Sequence, residues 1–338
     1  MIRVARVASI VAALALVGCA SRREWTDPPY AEQDLSPTAR VMLVAGGDDV
    51  ANFAAEVDRQ KHSWRRAGVA AADIACYWAK PTSKALRDDR RQYAALASSM
   101  SDCAQATAAR VLDDIERVAE SAPPYFYLYI TAHGVPTLGA QKHAWLLAPD
   151  ERAFLSQPAL ALDADRSVRV GDTAALLTAW REHTYPRDRI ILTPRTLAAA
   201  LAKFPDATHK IIVLQGCFSG GFLAGDDTLV SVPNTTVLTA AAANRPSFGC
   251  GAGTRETFWG GALGRELDDR VRRGTGPDEV PWHAVHEAVS KRVRKLERAL
   301  GQRPSKPQFG QNQIGQSKAG ENKPATSAAC AAPARTCR

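Results

Sequence analysis

At 338 residues the chain can bury a full core, as one large domain or two small ones. A composition of 46% hydrophobic and 23% charged residues excludes a globally disordered chain. The formal charge of +8 gathers at one end. From residue 291 onward eleven Lys and Arg face two acids, a net of +9, and the rest is close to neutral. With no basic, aromatic-rich module in sight, this argues against a nucleic-acid partner. The basic stretch reads as a solvated face, or secondarily as one drawn to anionic headgroups.

The N-terminus sets the expected compartment. Arg3 and Arg6 precede an apolar core from Ile10 to Val17, too short to span a bilayer as a mature helix. It ends in Leu16-Val17-Gly18-Cys19, followed by the small residues Ala20 and Ser21. A charged start, a short apolar core and small residues at the cut make a signal peptide, residues 1–18. With Cys19 directly after Gly18, the stretch resembles the lipobox of bacterial lipoproteins. That resemblance implies cleavage before Cys19, lipid on its thiol and amine, and attachment to the membrane through that lipid. The expected place is the bacterial cell envelope, at the outer membrane facing the periplasm. The other reading is a plain secretion signal with an incidental cysteine.

Residues 19–38 are polar and Pro-containing, a tether. The run 40–47, RVMLVAGG, predicts a first buried strand ending in glycines. Helical spacing of Val50, Phe53, Val57 and Trp64 predicts a helix over 49–66. A second strand follows at 72–79, then a helix at about 101–120. The stretch 125–134, YFYLYITAHG, reads as a third strand, and 143–150 as a short one. Residues 151–190 read as irregular. Thr193-Pro194 makes an N-cap and N1 pair for a helix to Phe204. The apolar run Ile211–Leu214 predicts a strand within 211–215, stopping at Gly216-Cys217. Another strand follows at 235–241, with helices near 255–272 and 279–300. In the last helix Trp282, Val285, Val289, Val293, Leu296 and Leu300 share a face. Residues 301–338 read as a mostly irregular, basic tail, which leaves 39–300 as the domain.

Strands alternating with helices, most of them uniformly apolar, predict an α/β fold: an open, mostly parallel sheet with helices on both faces. Ligands on such sheets bind at the carboxyl ends of the strands. Three loops rich in glycine or polar residues fall there: Gly46 to Asn52, His133-Gly134, and Gln215 to Gly221. Cys217 has two readings at that place. It is a buried structural thiol, or a nucleophile whose thiolate is favoured by the imidazole of His133 on a neighbouring strand end. Gly134 and the Cys217 amide would then offer N–H groups to an oxyanion.

Of seven cysteines (19, 76, 103, 217, 250, 330 and 337), Cys19 is reserved for lipid. If Cys217 stays a thiol, at most two disulfides form. Cys76–Cys103 and Cys330–Cys337 are both compatible with the sequence, and spacing proves neither. Cys250 reads as structural. No His/Cys spacing suggests a metal, and no cofactor is expected.

An apolar strand with Ala-His-Gly, then another with Gln-Gly-Cys-Phe-Ser-Gly-Gly, resembles the caspase/legumain clan of cysteine peptidases. Three further stretches are similar to the legumain family within it: VAGGDDVANF, LTPRTLAAAL, and LTAAAANRPSFGCG at 238–251. The resemblance implies a caspase-like sheet and a polypeptide substrate. It makes Cys217 the nucleophile, His133 the base, Gly134 an oxyanion donor and Asn52 the residue that orients the imidazole. It also exposes departures. Where legumains hold an Asn side chain with an Arg and two acids, this chain has Ala54, Gln215 and Gly253. Gln215, Asn244 and Ser247 remain as polar groups for the specificity pocket. The function expected is a lipid-anchored cysteine endopeptidase working through an acyl-enzyme, with transpeptidation open to it. The alternative is an inactive lipoprotein that keeps the fold as a binding module. A third reading, an α/β serine hydrolase using Ser219, lacks the Gly two residues earlier that such an elbow wants, since Cys217 stands there.

Overall fold

The computed structural model describes residues 39–81, 90–139, 145–162, 172–182, 189–225, 228–251, 253–272 and 279–312. The stretches expected to be the signal peptide and the tether, with Cys19, Cys330 and Cys337, lie outside them. Nine strands and eight helices alternate along the described chain. They are β1 (Ala39–Ala45), α1 (Asn52–Arg66), β2 (Ile74–Trp78), α2 (Arg90–Ser99), β3 (Ala104–Gln105) and α3 (Ala108–Glu120). Then come β4 (Tyr125–Thr131), β5 (His133–Val135), α4 (Pro149–Leu155), β6 (Ala159–Ala161), α5 (Thr173–Glu182) and α6 (Pro194–Leu201). The chain continues through β7 (His209–Gln215), β8 (Thr235–Thr239), α7 (Phe258–Arg272), α8 (Trp282–Ala299) and β9 (Gln308–Asn312).

Seven strands form one sheet in the order β3-β2-β1-β4-β7-β8-β9, parallel except for β9. The chain builds outward from β1 to β3, returns to β4, and builds the other way, so the topological switch lies between β1 and β4. Because side chains alternate across a strand, each apolar run feeds two cores. Val41, Leu43, Tyr127, Tyr129, Ile211 and Val213 pack under α1, α2, α7 and α8. Met42, Val44, Leu128, Ile130, Ile212 and Leu214 pack under α3 and α6. The open, mostly parallel caspase-like sheet with helices on both faces is therefore observed. Among the described residues no helix is long and apolar enough to cross a membrane.

Several local expectations are corrected. The helix expected from about 101 starts at Ala108, where the Thr107 hydroxyl accepts from the Arg110 amide. Cys103 is instead bonded to Cys76 on β2, which holds Ala104–Gln105 against the sheet edge as β3. The third strand breaks after Thr131, because His133–Val135 turns away to pair antiparallel with β6. In the short strand expected at 143–150, the described part (145–150) is not extended. Pro149 opens α4 there, its fixed φ suiting a helix start. The described parts of 151–190 are not irregular either: α4, β6 and α5 surround a small third core of Leu138, Phe154, Leu155, Leu176 and Leu177. In α8 the buried stripe runs Val285, Val289, Val293 and Glu297, four residues apart. Leu296 and Leu300 fall off that line and are 37% and 58% exposed. Finally, β9 lies in the stretch read as irregular and closes the β8 edge.

Candidate active site

Register brings three strand ends level. Ala45 pairs with Thr131, and Thr131 with Gln215. The next residues of the three strands continue the ladder, with Gly46 N donating to Thr131 O (2.9 Å) and Ala132 N to Gln215 O (3.0 Å). Beyond this line each strand turns off separately, and the turns carry the polar groups.

After β7 the chain passes Gly216 and Cys217 and enters a left-handed conformation at Phe218, φ 59°. A non-glycine residue there is strained and must be held by its surroundings. Phe218 N donates to Arg245 O (2.8 Å) and Gly220 N to Ala241 O (2.8 Å). A Cβ on Gly220 would come within 2.7 Å of Ala241 O, so that turn needs its glycine. Ser219 is buried, and its hydroxyl accepts from the Ala240 and Ala241 amides at 3.1 and 3.3 Å. That occupation removes the serine-hydrolase reading. The Cys217 thiol remains half-buried and free. Ser247 N donates to its Sγ at 3.3 Å, while Ser247 O lies 3.5 Å from the same sulfur.

His133 opens β5, and its Nε2 lies 2.8 Å from Asp49 Oδ1. The edge of Phe53 meets the ring, centroids 5.1 Å apart at 75°. Asp49 thus takes the place expected for Asn52. Asn52 is fully buried instead, and its amide donates to Gly249 O (2.6 Å) and Thr254 Oγ1 (3.0 Å). It ties down the 249–254 loop rather than the imidazole. The physical reason is helical geometry: Asn52 is the first residue of α1 and faces the core, whereas Asp49 sits in the open turn before it.

Gly134 packs directly on Cys217. A methyl there would overlap the Cys217 carbonyl oxygen. Leu160, its partner on β6, sends its own N–H to Leu192 O on the other side. Gly134–Leu160 is therefore the non-hydrogen-bonded kind of antiparallel pair, and the Gly134 N–H points away from β6.

Cys250 is a residue whose position the sequence did not reveal. Its thiol is a hydrogen-bond partner of both the Cys217 thiol and the His133 ring. Hydrogen bonding from Cys250, aided by the Ser247 amide, pulls Cys217 down to about 7. The same contact pushes Cys250 up to about 12, so of the two thiols Cys217 ionises first. Asp49, then Cys250, pushes His133 up to about 10. Near neutral pH Cys217 is thus part thiolate and His133 is charged, and Cys250 is the group that both share.

The expected pocket residues are not brought together. Gln215 is 1% exposed and lies beneath the site, its side-chain oxygen 2.7 Å from Thr131 Oγ1. Thr131 in turn meets the buried Glu56 carboxylate at 2.9 Å. Ser247 is buried and meets the thiol through its backbone. Asn244 is exposed on the neighbouring turn.

Residues 184–316 match the model of the Peptidase C13 family. Over that stretch, somewhat under half of its length, the chain is similar to this legumain family. Peptidase C13 chemistry is that of a cysteine-type peptidase, with polypeptide as substrate. The match takes in Cys217, Asn244 to Cys250 and β9, while Asp49, His133 and Gly134 precede it. No curated protein matches the chain. Among solved structures, a protein of Geobacter sulfurreducens is similar over 82% of this chain and 94% of its own, at 12% identity and a TM-score of 0.45.

Proposed function

We propose that this protein, similar to the Peptidase C13 family over residues 184–316, is a cysteine endopeptidase acting through a Cys217 acyl-enzyme. Cys217 attacks the scissile carbonyl as the thiolate, and the His133 imidazolium gives its proton to the departing amine. The neutral ring then takes a proton from water, or from an amine in transpeptidation, as either displaces the thioester. Gly134 N–H is the oxyanion donor, and Asp49, in place of Asn52, holds the imidazole. The observation that carries this reading is the half-buried free thiol that accepts from the Ser247 amide beside the Asp49-bound ring. The lipobox-like Leu-Val-Gly-Cys supports attachment of the mature chain to the envelope through Cys19.

The test is cleavage of a mixed peptide library by the reduced, purified protein, with new N-termini read by mass spectrometry. Internal cuts that vanish in both Cys217→Ala and His133→Ala support the proposal. Cuts that persist in Cys217→Ala would show that another group is the nucleophile, and none from a folded wild type would leave the binding-module reading in its place.

A further inference from the structure

Cys217 and Cys250 are both free, among the described residues, in a fold whose other described cysteines, Cys76 and Cys103, are already bonded. They are 33 positions apart in sequence, yet their side chains are hydrogen-bond partners. Three contacts hold them there. Phe218 N donates to Arg245 O, and Ser247 N donates to the Cys217 sulfur itself. Beyond Cys250, Thr254 Oγ1 accepts from the Asn52 amide at 3.0 Å. The loop is thus pinned to the turn after β7 on one side of Cys250 and to α1 on the other. Gly251, next in the chain, has open space where its side chain would be, so the Cys250 backbone has room to adjust.

We propose that Cys217 and Cys250 form a reversible disulfide that closes the active site and shields its thiol from irreversible oxidation. The proposal rests on Cys217 being the nucleophile only for its effect on activity; the bond itself does not depend on that reading. The oxidant is a hydroperoxide, hydrogen peroxide in the simplest case. The Cys217 thiolate attacks one peroxide oxygen and the O–O bond breaks, releasing hydroxide and leaving a sulfenic acid. Cys250 sulfur then attacks the sulfenyl sulfur. The S–O bond breaks, and the departing hydroxide leaves as water with the Cys250 proton. Two thiols and one hydrogen peroxide give one disulfide and two waters, the two sulfurs losing two electrons to the peroxide. Cys217, the thiol that ionises first, suits the first attack, and Cys250 alongside suits the resolving step. Free sulfenic acid would otherwise continue to sulfinic acid, which ordinary thiols do not reverse.

The test treats the reduced full chain with two equivalents of hydrogen peroxide, enough to carry one thiol to sulfinic acid, then maps peptides without reduction and follows alkylation and peptide cleavage. Expected are a cross-linked peptide joining Cys217 to Cys250, loss of Cys217 alkylation, and full recovery on dithiothreitol. In Cys250→Ser the same dose should drive Cys217 to sulfinic acid, with no recovery by dithiothreitol. Wild-type Cys217 carried to sulfinic acid while Cys250 stays a free thiol would overturn the proposal, as would a Cys250 paired elsewhere. If the cross-link forms and reverses but the reduced protein cleaves nothing, the disulfide stands and the peptidase reading falls.

Discussion

Gly134 sits against the Cys217 carbonyl so closely that no side chain fits between the β5 turn and the β7 turn. This contact fixes where the His133-bearing segment lies relative to the thiol.

Gly134→Ala should therefore disable the site without touching a reactive group. The added methyl meets backbone, so the two turns must part, and cleavage should fall by at least about tenfold for each 1.4 kcal/mol of lost positioning. Gly251→Ala is the control, because its side-chain position is open. Equal cleavage by Gly134→Ala and wild type would show that the two turns do not need this approach.

The pH profile follows from two displaced groups. Cys217, drawn down to about 7, should make the rate of alkylation rise through that pH. His133, held up to about 10 first by Asp49, should make peptide cleavage fall as pH rises past that value. In Asp49→Asn the alkaline limb should move toward the ordinary imidazole range. The raised imidazole also bears on folding: its contribution is complete below about 6.5 and fades as pH climbs through about 10. An unmoved alkaline limb in Asp49→Asn would separate Asp49 from the imidazole.

Glu56 is the buried anchor beneath the site. It accepts from Thr257 N (2.6 Å), Tyr129 Oη (2.7 Å) and Thr131 Oγ1 (2.9 Å), so it ties α1 to β4 and to the start of α7. Burial pushes its carboxyl up, opposed by these donors. Glu56→Ala leaves the Thr257 amide and the Tyr129 hydroxyl without their acceptor, at about 1 to 3 kcal/mol each, while Thr131 keeps Gln215. Urea unfolding should show a loss of about 2 kcal/mol or more, and a loss below about 1 kcal/mol would show that the network is dispensable.

The P1 preference should not be Asn. Legumain-like recognition needs charges where this chain has Ala54, Gln215 and Gly253; Ala54 and Gln215 are each 1% exposed. An amide left without partners is penalised heavily in a pocket, so a small or uncharged P1 residue is expected. A P1-varied library decides this. Efficient cleavage after Asn, or after Asp with loss in Arg245→Ala, would contradict it.

Much of the architecture was legible because it rests on apolar runs. β1, β4, β7 and β8 are buried on both faces, and the glycines after them marked where the site would lie. His133 and Cys217 stood out as reactive residues just past such runs. Asp49 did not: it is one polar residue in a turn with Asp48 and Asn52, and no periodicity distinguishes them. Cys250 was hidden for another reason, since a contact across 33 positions leaves no mark in local spacing. β9 was missed because its Gln308, Gly310, Gln311 and Asn312 carry no apolar pattern, only Phe309 packing inward. α4 and α5 are short helices under a separate small core, each too brief to show a clear repeat.

The most direct measurement of the central claim is adduct mapping with a peptide bearing a thiol-reactive carbonyl electrophile. Reduced wild-type protein is labelled near neutral pH, digested and read by mass. One adduct, on Cys217, is expected, lost in Cys217→Ala and strongly slowed in His133→Ala. An adduct on Cys250 alone, or none on a protein whose unfolding curve is intact, would contradict Cys217 as the nucleophile.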